Sequence, residues 1–297
     1  MGRLNYIYFR SLVFAAMLAV LSCCISGCNN LPNNGVPVYL HIDSPTVIYS
    51  YPFGSTSNSI SGVWASAGSH RLGAYEMPVD IPILAGGNIY IAVSAGIYDN
   101  GIVNAPAQYP FYKPDTFTIT NAIAGHVYHH KPVYSYFAST QYAIVEGFDA
   151  DNQFANVTPI AGPDSMVYEG LRSGGIILPP TTDSVSAYMT SPGIQINTNG
   201  REAYLELNYK MNNPNVFCEV GIMATQYSSG AISDRQYFPK VELFPTKPYW
   251  NKIYINFSNE IGGLRNYYFQ IYFIANHTPN VGTDTMFIDN VKLLYFH

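Results

Sequence analysis

Apolar and polar residues alternate one for one along much of this chain, the period of a strand with one buried face. The run Glu202-Ala-Tyr-Leu-Glu-Leu-Asn-Tyr-Lys210 alternates, and so do residues 250–257 and 267–275. Shorter alternating or β-branched runs stand at 38–42, 60–65, 89–93 and 116–120, punctuated by Gly, Pro and Asn at the spacing of a sandwich. Residues 78–84, Pro-Val-Asp-Ile-Pro-Ile-Leu, read as an edge strand, because proline has no N–H for a central ladder. No window of about a dozen residues after Cys28 repeats with the helical period. The pattern predicts an all-β protein with two β-sandwich domains in series, 36–140 and 141–297, the longer strands lying in the second.

Successive side chains of a strand point to opposite faces. In the second domain this puts Leu205, Leu207 and Tyr209 on one face, with Ile253, Ile255, Phe257, Phe269, Ile271 and Phe273 also inward. The opposite parity holds Tyr204, Glu206, Asn208 and Lys210, then Trp250, Lys252, Tyr254 and Asn256, then Tyr268, Gln270 and Tyr272. Large aromatics mixed with amides and charges suit a glycan platform. Rings cover the apolar C–H faces of a sugar, and polar groups fix its hydroxyls. The candidate platform is Trp250, Tyr254, Asn256, Tyr268, Gln270, Tyr272, Glu206 and Asn208. The alternative is a sheet face whose tyrosines serve as cross-strand pairs. In the first domain, Asp99-Asn-Gly is turn chemistry. Tyr109-Pro-Phe-Tyr-Lys-Pro114 is a stiff aromatic segment, expected to dock on the second domain or, alternatively, on a partner.

Composition narrows the function. Charged residues make up only 11% of the chain, against about 25% in ordinary domains, while 15% are aromatic, including 26 Tyr. The net charge is −5 with no basic patch, which excludes a nucleic-acid partner. Cys218 sits in a strand-like run and reads as a buried, inert thiol.

The first residues carry Arg3 and Arg10, an apolar run over 12–21, and then Ile25-Ser-Gly-Cys28. A basic start, a short apolar stretch and a small-residue exit describe a secretory signal. The run is shorter than the ~20 residues of a spanning helix. Ile25-Ser-Gly-Cys28 resembles a lipobox, with Ile where Leu is usual, and Val20-Leu-Ser-Cys23 is the alternative. The resemblance implies a signal peptide over 1–27, lipidation of Cys28, a tether over 28–35 and a lipid-anchored place on an outer membrane. Which side of that membrane the protein faces stays open. Two or three acyl chains anchor firmly, at ~0.8 kcal/mol per buried CH₂.

Two further resemblances bear on fold. His70-Arg-Leu-Gly-Ala-Tyr-Glu-Met-Pro, Ile81-Pro-Ile-Leu and Gly87-Asn-Ile-Tyr-Ile-Ala-Val93 resemble the transthyretin-like or carboxypeptidase-regulatory modules of Bacteroidota envelope proteins, which are usually spacers. Val145-Glu-Gly-Phe-Asp149, a Trp-x-Lys-x-Tyr-x-x-Phe strand and Phe287-Ile-Asp-Asn-Val-Lys-Leu resemble galactose-binding-like jelly rolls, the fold of many carbohydrate-binding modules. In such jelly rolls the first and last strands are neighbours. Glu146, Asp149 and Asp289 are therefore the candidate ligands of a structural Ca²⁺. No catalytic motif is present, no cofactor is implied beyond that ion, and His126, His129 and His130, the one close histidine set, read as a solvated turn, with a metal site as the alternative. The expected function is non-catalytic: a lipid-anchored protein whose partner is an oligosaccharide or, alternatively, an envelope protein.

Overall fold

The structure, a computed structural model, describes residues 35–48, 54–163, 166–190, 192–246, 248–278 and 282–297. The expected signal peptide, Cys28 and the tether up to residue 34 lie outside the described residues. The described chain is all-β with sandwich architecture, and its short helix is Ser258–Gly262. None of its helices is long and apolar enough to cross a membrane.

Two sheets face each other before residue 135. In one, Val38–Ile42 lies between antiparallel Val79–Ile83 and parallel Val127–His130. Pro82 sits in the edge strand, as its missing N–H requires. The other sheet runs His70–Glu76, Gly62–Ala67 and Gly87–Tyr98, with Asp115–Ala122 and Pro106–Gln108 on the far side of the last. Leu40, Ile42 and Ile81 from the first sheet meet Val63, Ile91 and Val93 from the second.

The later residues form a larger sandwich whose chain crosses repeatedly between sheets, in the manner of a jelly roll. The first sheet is ordered Thr158–Ala161, Arg172–Leu178, Asp284–Tyr295, Ala203–Met211, Asn251–Asn256. Gln141–Glu146 also pairs with Asp284–Tyr295, so the first and last strands are neighbours as expected. The second sheet is ordered Phe154–Ala155, Ser184–Met189, Tyr268–His277, Val216–Ser228, Ala231–Leu243. The residues read as inward by parity do form the core: Leu205, Leu207, Ile253, Ile255 and Phe257 pack with Phe269, Ile271 and Phe273. Cys218 is buried there, and burial pushes its thiol pKa up, consistent with an inert group.

A third core joins the two halves. Tyr109, Phe111, Tyr112 and Tyr134 from the earlier residues pack on Tyr204, Tyr254, Leu294 and Phe296. The Tyr109 ring lies 4.7 Å from Tyr254 and edge-on to Tyr204 at 5.5 Å. The proline-flanked aromatic segment thus docks on the second half, as its sequence suggested. Beside it, Asn100 and Gly101 adopt φ of 56° and 73°, conformations these two residues reach at least cost. The turn they form reaches the edge strand Asn251–Asn256. The Asn100 N–H donates to the Tyr254 carbonyl at 3.0 Å, and Asn100 Oδ1 accepts the Asn256 N–H at 2.8 Å.

Candidate functional site

The outward face of the jelly roll's first sheet is polar yet buried. Glu206 is 0% exposed, Asn208 and Lys292 are 1%, and Lys252 is 6%. A β-bulge at Asn290, whose φ is 48°, places two residues of the last strand against one of its neighbour. This sets Lys292 opposite Glu206 and Asp289 opposite Asn208. Lys252 Nζ lies 2.8 Å from Glu206 Oε2. The hydroxyls of Tyr109 and Tyr136 donate to Glu206 Oε1 at 2.5 and 2.9 Å. Burial alone would raise the Glu206 pKa, but Lys252, Lys292 and the Tyr109 hydrogen bond hold it below the usual carboxylate value. Among the described residues Lys292 has no hydrogen-bond partner, and burial pulls its amine down to about 8.

An extended polar segment of the earlier residues lies across this face. Ser57 Oγ accepts from Asn208 Nδ2 and from the Tyr168 hydroxyl, both at 2.9 Å. The Ser59 N–H donates to the Tyr254 hydroxyl at 3.1 Å, and the Ser55 hydroxyl donates to Glu169. Groups of the chain itself therefore engage the Glu206 carboxylate, the Asn208 amide nitrogen and the Tyr254 hydroxyl that parity had offered to a sugar.

The eight candidate platform residues do not form one face. Glu206, Asn208 and Tyr254 are covered by the earlier residues. The Asn256 amide is spent on Asp99 and Tyr204, at 3.2 and 2.9 Å. Tyr268, Gln270 and Tyr272 project from the other sheet, where Tyr272 stacks on Tyr188. Trp250 keeps a half-exposed place at the junction. Parity assigns a side chain to a side of its strand; it says nothing of which sheet holds the strand or what covers it.

The calcium candidates separate as well. Glu146 is paired with inward Val291, on the core side of the sheet, whereas Asp289 is outward beside Asn208. Glu146 accepts the N–H groups of Phe148 and Gln153, and Asp149 those of Leu171 and Arg172. Asp289 accepts from Ser173 Oγ at 2.6 Å, and burial raises its pKa to about 6. Their oxygens do not converge as a ligand set among the described residues.

An open cleft of about 580 Å³ lies at the junction of the two halves. Tyr98, Asn100 and Val103 line it from one side, and Tyr209, Glu242, Phe244, Tyr249, Trp250 and Asn251 from the other. Tyr249 is 74% exposed. The indole of Trp250 is held edge-on by Tyr168 at 5.5 Å and tilted against Phe287 at 6.3 Å. Across Tyr98 a second cavity of about 230 Å³ opens, lined by Trp64, Tyr75, Glu76 and Pro106. Both tryptophans of the chain thus border two cavities that share Tyr98. Apart from Trp250, parity could not find these residues: several stand on loops, and the rest converge only through the docking of the halves.

No protein-family model and no curated protein matches the chain. Solved structures similar to it include carbohydrate-binding β-sandwiches. One holds the CBM22-1 and GH10 modules of Clostridium thermocellum endo-1,4-beta-D-xylanase 10B with xylohexaose: 11% identity over 52% of this chain and 28% of that one, TM-score 0.39. A second is the family 11 module of Clostridium thermocellum with a beta-1,3-1,4-mixed-linked tetrasaccharide: 13% identity, 53% and 96% covered, TM-score 0.36. A third, described under carbohydrate-binding modules of the β-sandwich superfamily, is 12% identical over 88% of this chain and 99% of that one, TM-score 0.38. The chain thus spans about a quarter of the first structure and nearly all of the other two. Likeness this distant leaves ligand and site to be argued from the residues themselves.

Proposed function

We propose that the protein is a non-catalytic glycan-binding protein whose ligand lies in the cleft at the junction of its halves. The observation that carries this reading is the convergence of Trp250, Tyr249, Tyr98 and Tyr209 with Asn100, Asn251 and Glu242 around one open cavity. Aromatic area with a few fixed amides and a carboxylate is the lining a sugar chain requires. The adjoining cavity under Trp64 gives the site a length beyond a single ring and favours an oligosaccharide.

A glycan array including xylohexaose and the mixed-linked tetrasaccharide tests it. Tyr249→Ala should weaken binding at least about tenfold, as truncation of an aromatic hot spot does, while its melt stays unchanged because the ring is 74% exposed. Wild-type affinity in both Tyr249→Ala and Trp250→Ala would overturn the site. Failure of every glycan to bind the folded parent would hand the exposed Phe244 and Tyr249 to an envelope-protein partner instead.

We also propose the lipid anchor at Cys28, on the strength of Ile25-Ser-Gly-Cys28. Cys28→Ala should move the protein from the membrane fraction to the soluble one; unchanged fractionation would sink this part of the reading.

A further inference from the structure

A second cluster of side chains lies outside the cleft, on the open face of the three-stranded sheet. Asp80, His41 and His129 stand on three adjacent strands in direct register: His41 pairs with Asp80 on one side and with His129 on the other. Directly opposed residues share a face, with Cβ atoms about 4.5–5.5 Å apart. Asp43 follows His41 by two residues and points the same way. The opposite face of this strand is fixed in the core through Val38, Leu40 and Ile42, all 0% exposed, so the row of polar groups cannot turn away.

The geometry within the row is specific. His41 Nδ1 lies 2.7 Å from Asp80 Oδ1, and His41 Nε2 lies 3.4 Å from Asp43 Oδ1. One ligand atom each from His41, Asp43 and His129 fall within 4.8 Å of one another. Tetrahedral zinc with bonds of about 2.0–2.2 Å sets its ligand atoms roughly 3.4 Å apart. The His41–Asp43 edge already has that length. His129 is exposed, so its ring is free to swing in and close the other two. Asp80 completes the arrangement. A ligating imidazole commonly donates its second N–H to a carboxylate, which fixes the tautomer and makes the other nitrogen more basic. The Asp80 hydrogen bond is also the first cause of the raised His41 pKa.

We propose that His41 Nε2, His129 and Asp43 form a binding site for a late first-row divalent cation such as Zn²⁺, with Asp80 as the positioning residue and a water in the fourth place. Imidazole and carboxylate together favour Zn²⁺, Ni²⁺ or Cu²⁺ over Ca²⁺ and Mg²⁺, which prefer all-oxygen shells. An imidazole ligates only in its neutral form, so affinity falls as pH drops through the histidine range.

The test is competition for Zn²⁺ between a chromophoric chelator and the full chain in mild detergent, purified without a polyhistidine tag. The parent should take up one equivalent, and excess Mg²⁺ should not displace it. His129→Gln should lower the affinity at least tenfold, with no change in melt because the residue is exposed. Asp80→Asn, which touches no metal, should lower it by about 10–100-fold. His126→Gln, close in sequence but outside the cluster, should leave it unchanged. No stoichiometric uptake, or uptake retained in both His41→Gln and His129→Gln, would overturn the site and leave Asp80–His41–Asp43 as a structural ion cluster.

Discussion

Glu206→Ala is expected to cost about 3–5 kcal/mol of stability, the range for removing one partner of a buried ion pair. Glu206 is fully buried, and Lys252 approaches it at 2.8 Å. Without the carboxylate, Lys252 and Lys292 remain as two buried cations, and the hydroxyls of Tyr109 and Tyr136 lose their acceptor. The loss shifts the folding equilibrium roughly a hundredfold or more. Urea melts measure it, and a cost below about 1 kcal/mol would show that water reaches the cluster. A double variant, Glu206→Gln with Lys252→Met, should recover much of the loss, since it removes both charges of the pair at similar volume and leaves the tyrosine hydroxyls a carbonyl acceptor. The depressed pKa also sets a pH window. This carboxylate contributes stability above its unfolded value near 4.5, and the contribution is lost as pH falls through the lower folded value.

Lys292→Met is expected to do the reverse and stabilise the protein, by up to about 3 kcal/mol at pH 7. The folded amine titrates near 8 instead of 10.5, a net penalty after the attraction of Glu206 is counted, and each unit corresponds to about 1.36 kcal/mol. Between those values the unfolded chain holds the proton and the folded chain has released it, so stability rises with pH. Lys252 adds to the penalty, Glu206 and Glu169 reduce it, and the Tyr136 ring lies 5.5 Å from Nζ. Near pH 9 the buried Cys218 thiol begins to oppose this rise, and near pH 10 the buried tyrosines do so as well. Tyr109, Tyr112 and Tyr136 keep their protons in the fold, chiefly through burial, while the unfolded chain gives them up. Those thiol and phenol groups act alike in parent and variant, so the stability gap between Lys292→Met and the parent should narrow from pH 8 to 10. A gap that stays constant over that interval would mean that Lys292 is solvated.

The contrast between these two residues shows what alternation can and cannot carry. Leu205, Ile253 and Phe269 declare themselves as core because the strand period depends only on neighbours along the chain. Glu206, Lys252 and Lys292 stand at outward parity and read as solvent-facing, since nothing local encodes the cover laid over them. One signal did point to it. The last strand is apolar at both parities, with Ile288, Val291 and Leu293 inward and Phe287, Leu294 and Phe296 outward, the mark of a strand covered on both faces. The proline-flanked Tyr109–Tyr112 segment announced the cover itself. The cleft and the His41–His129 pair stayed hidden because they depend on contacts between distant parts of the chain. His129 was weighed with its neighbours His126 and His130, but a parallel strand pairing aligns it with His41 instead.

The place of Asp284–Tyr295 has a consequence for how the chain reaches this state. That strand lies inside the first sheet and pairs with Gln141–Glu146, Arg172–Leu178 and Ala203–Met211. Its pairing with Gln141–Glu146 closes a loop of about 150 residues, and long-range closures of this kind are slow. Until residues 284–295 have entered the compartment where the chain folds, three earlier strands have no common partner, and Leu294 and Phe296 are not yet there to meet Phe111. The aromatic segment around Tyr109 must then wait uncovered, the exposed apolar surface that makes folding intermediates stick to one another. For this architecture the vulnerable interval is the one before its last strand arrives, and the early sandwich, however quickly it forms, does nothing to shorten it.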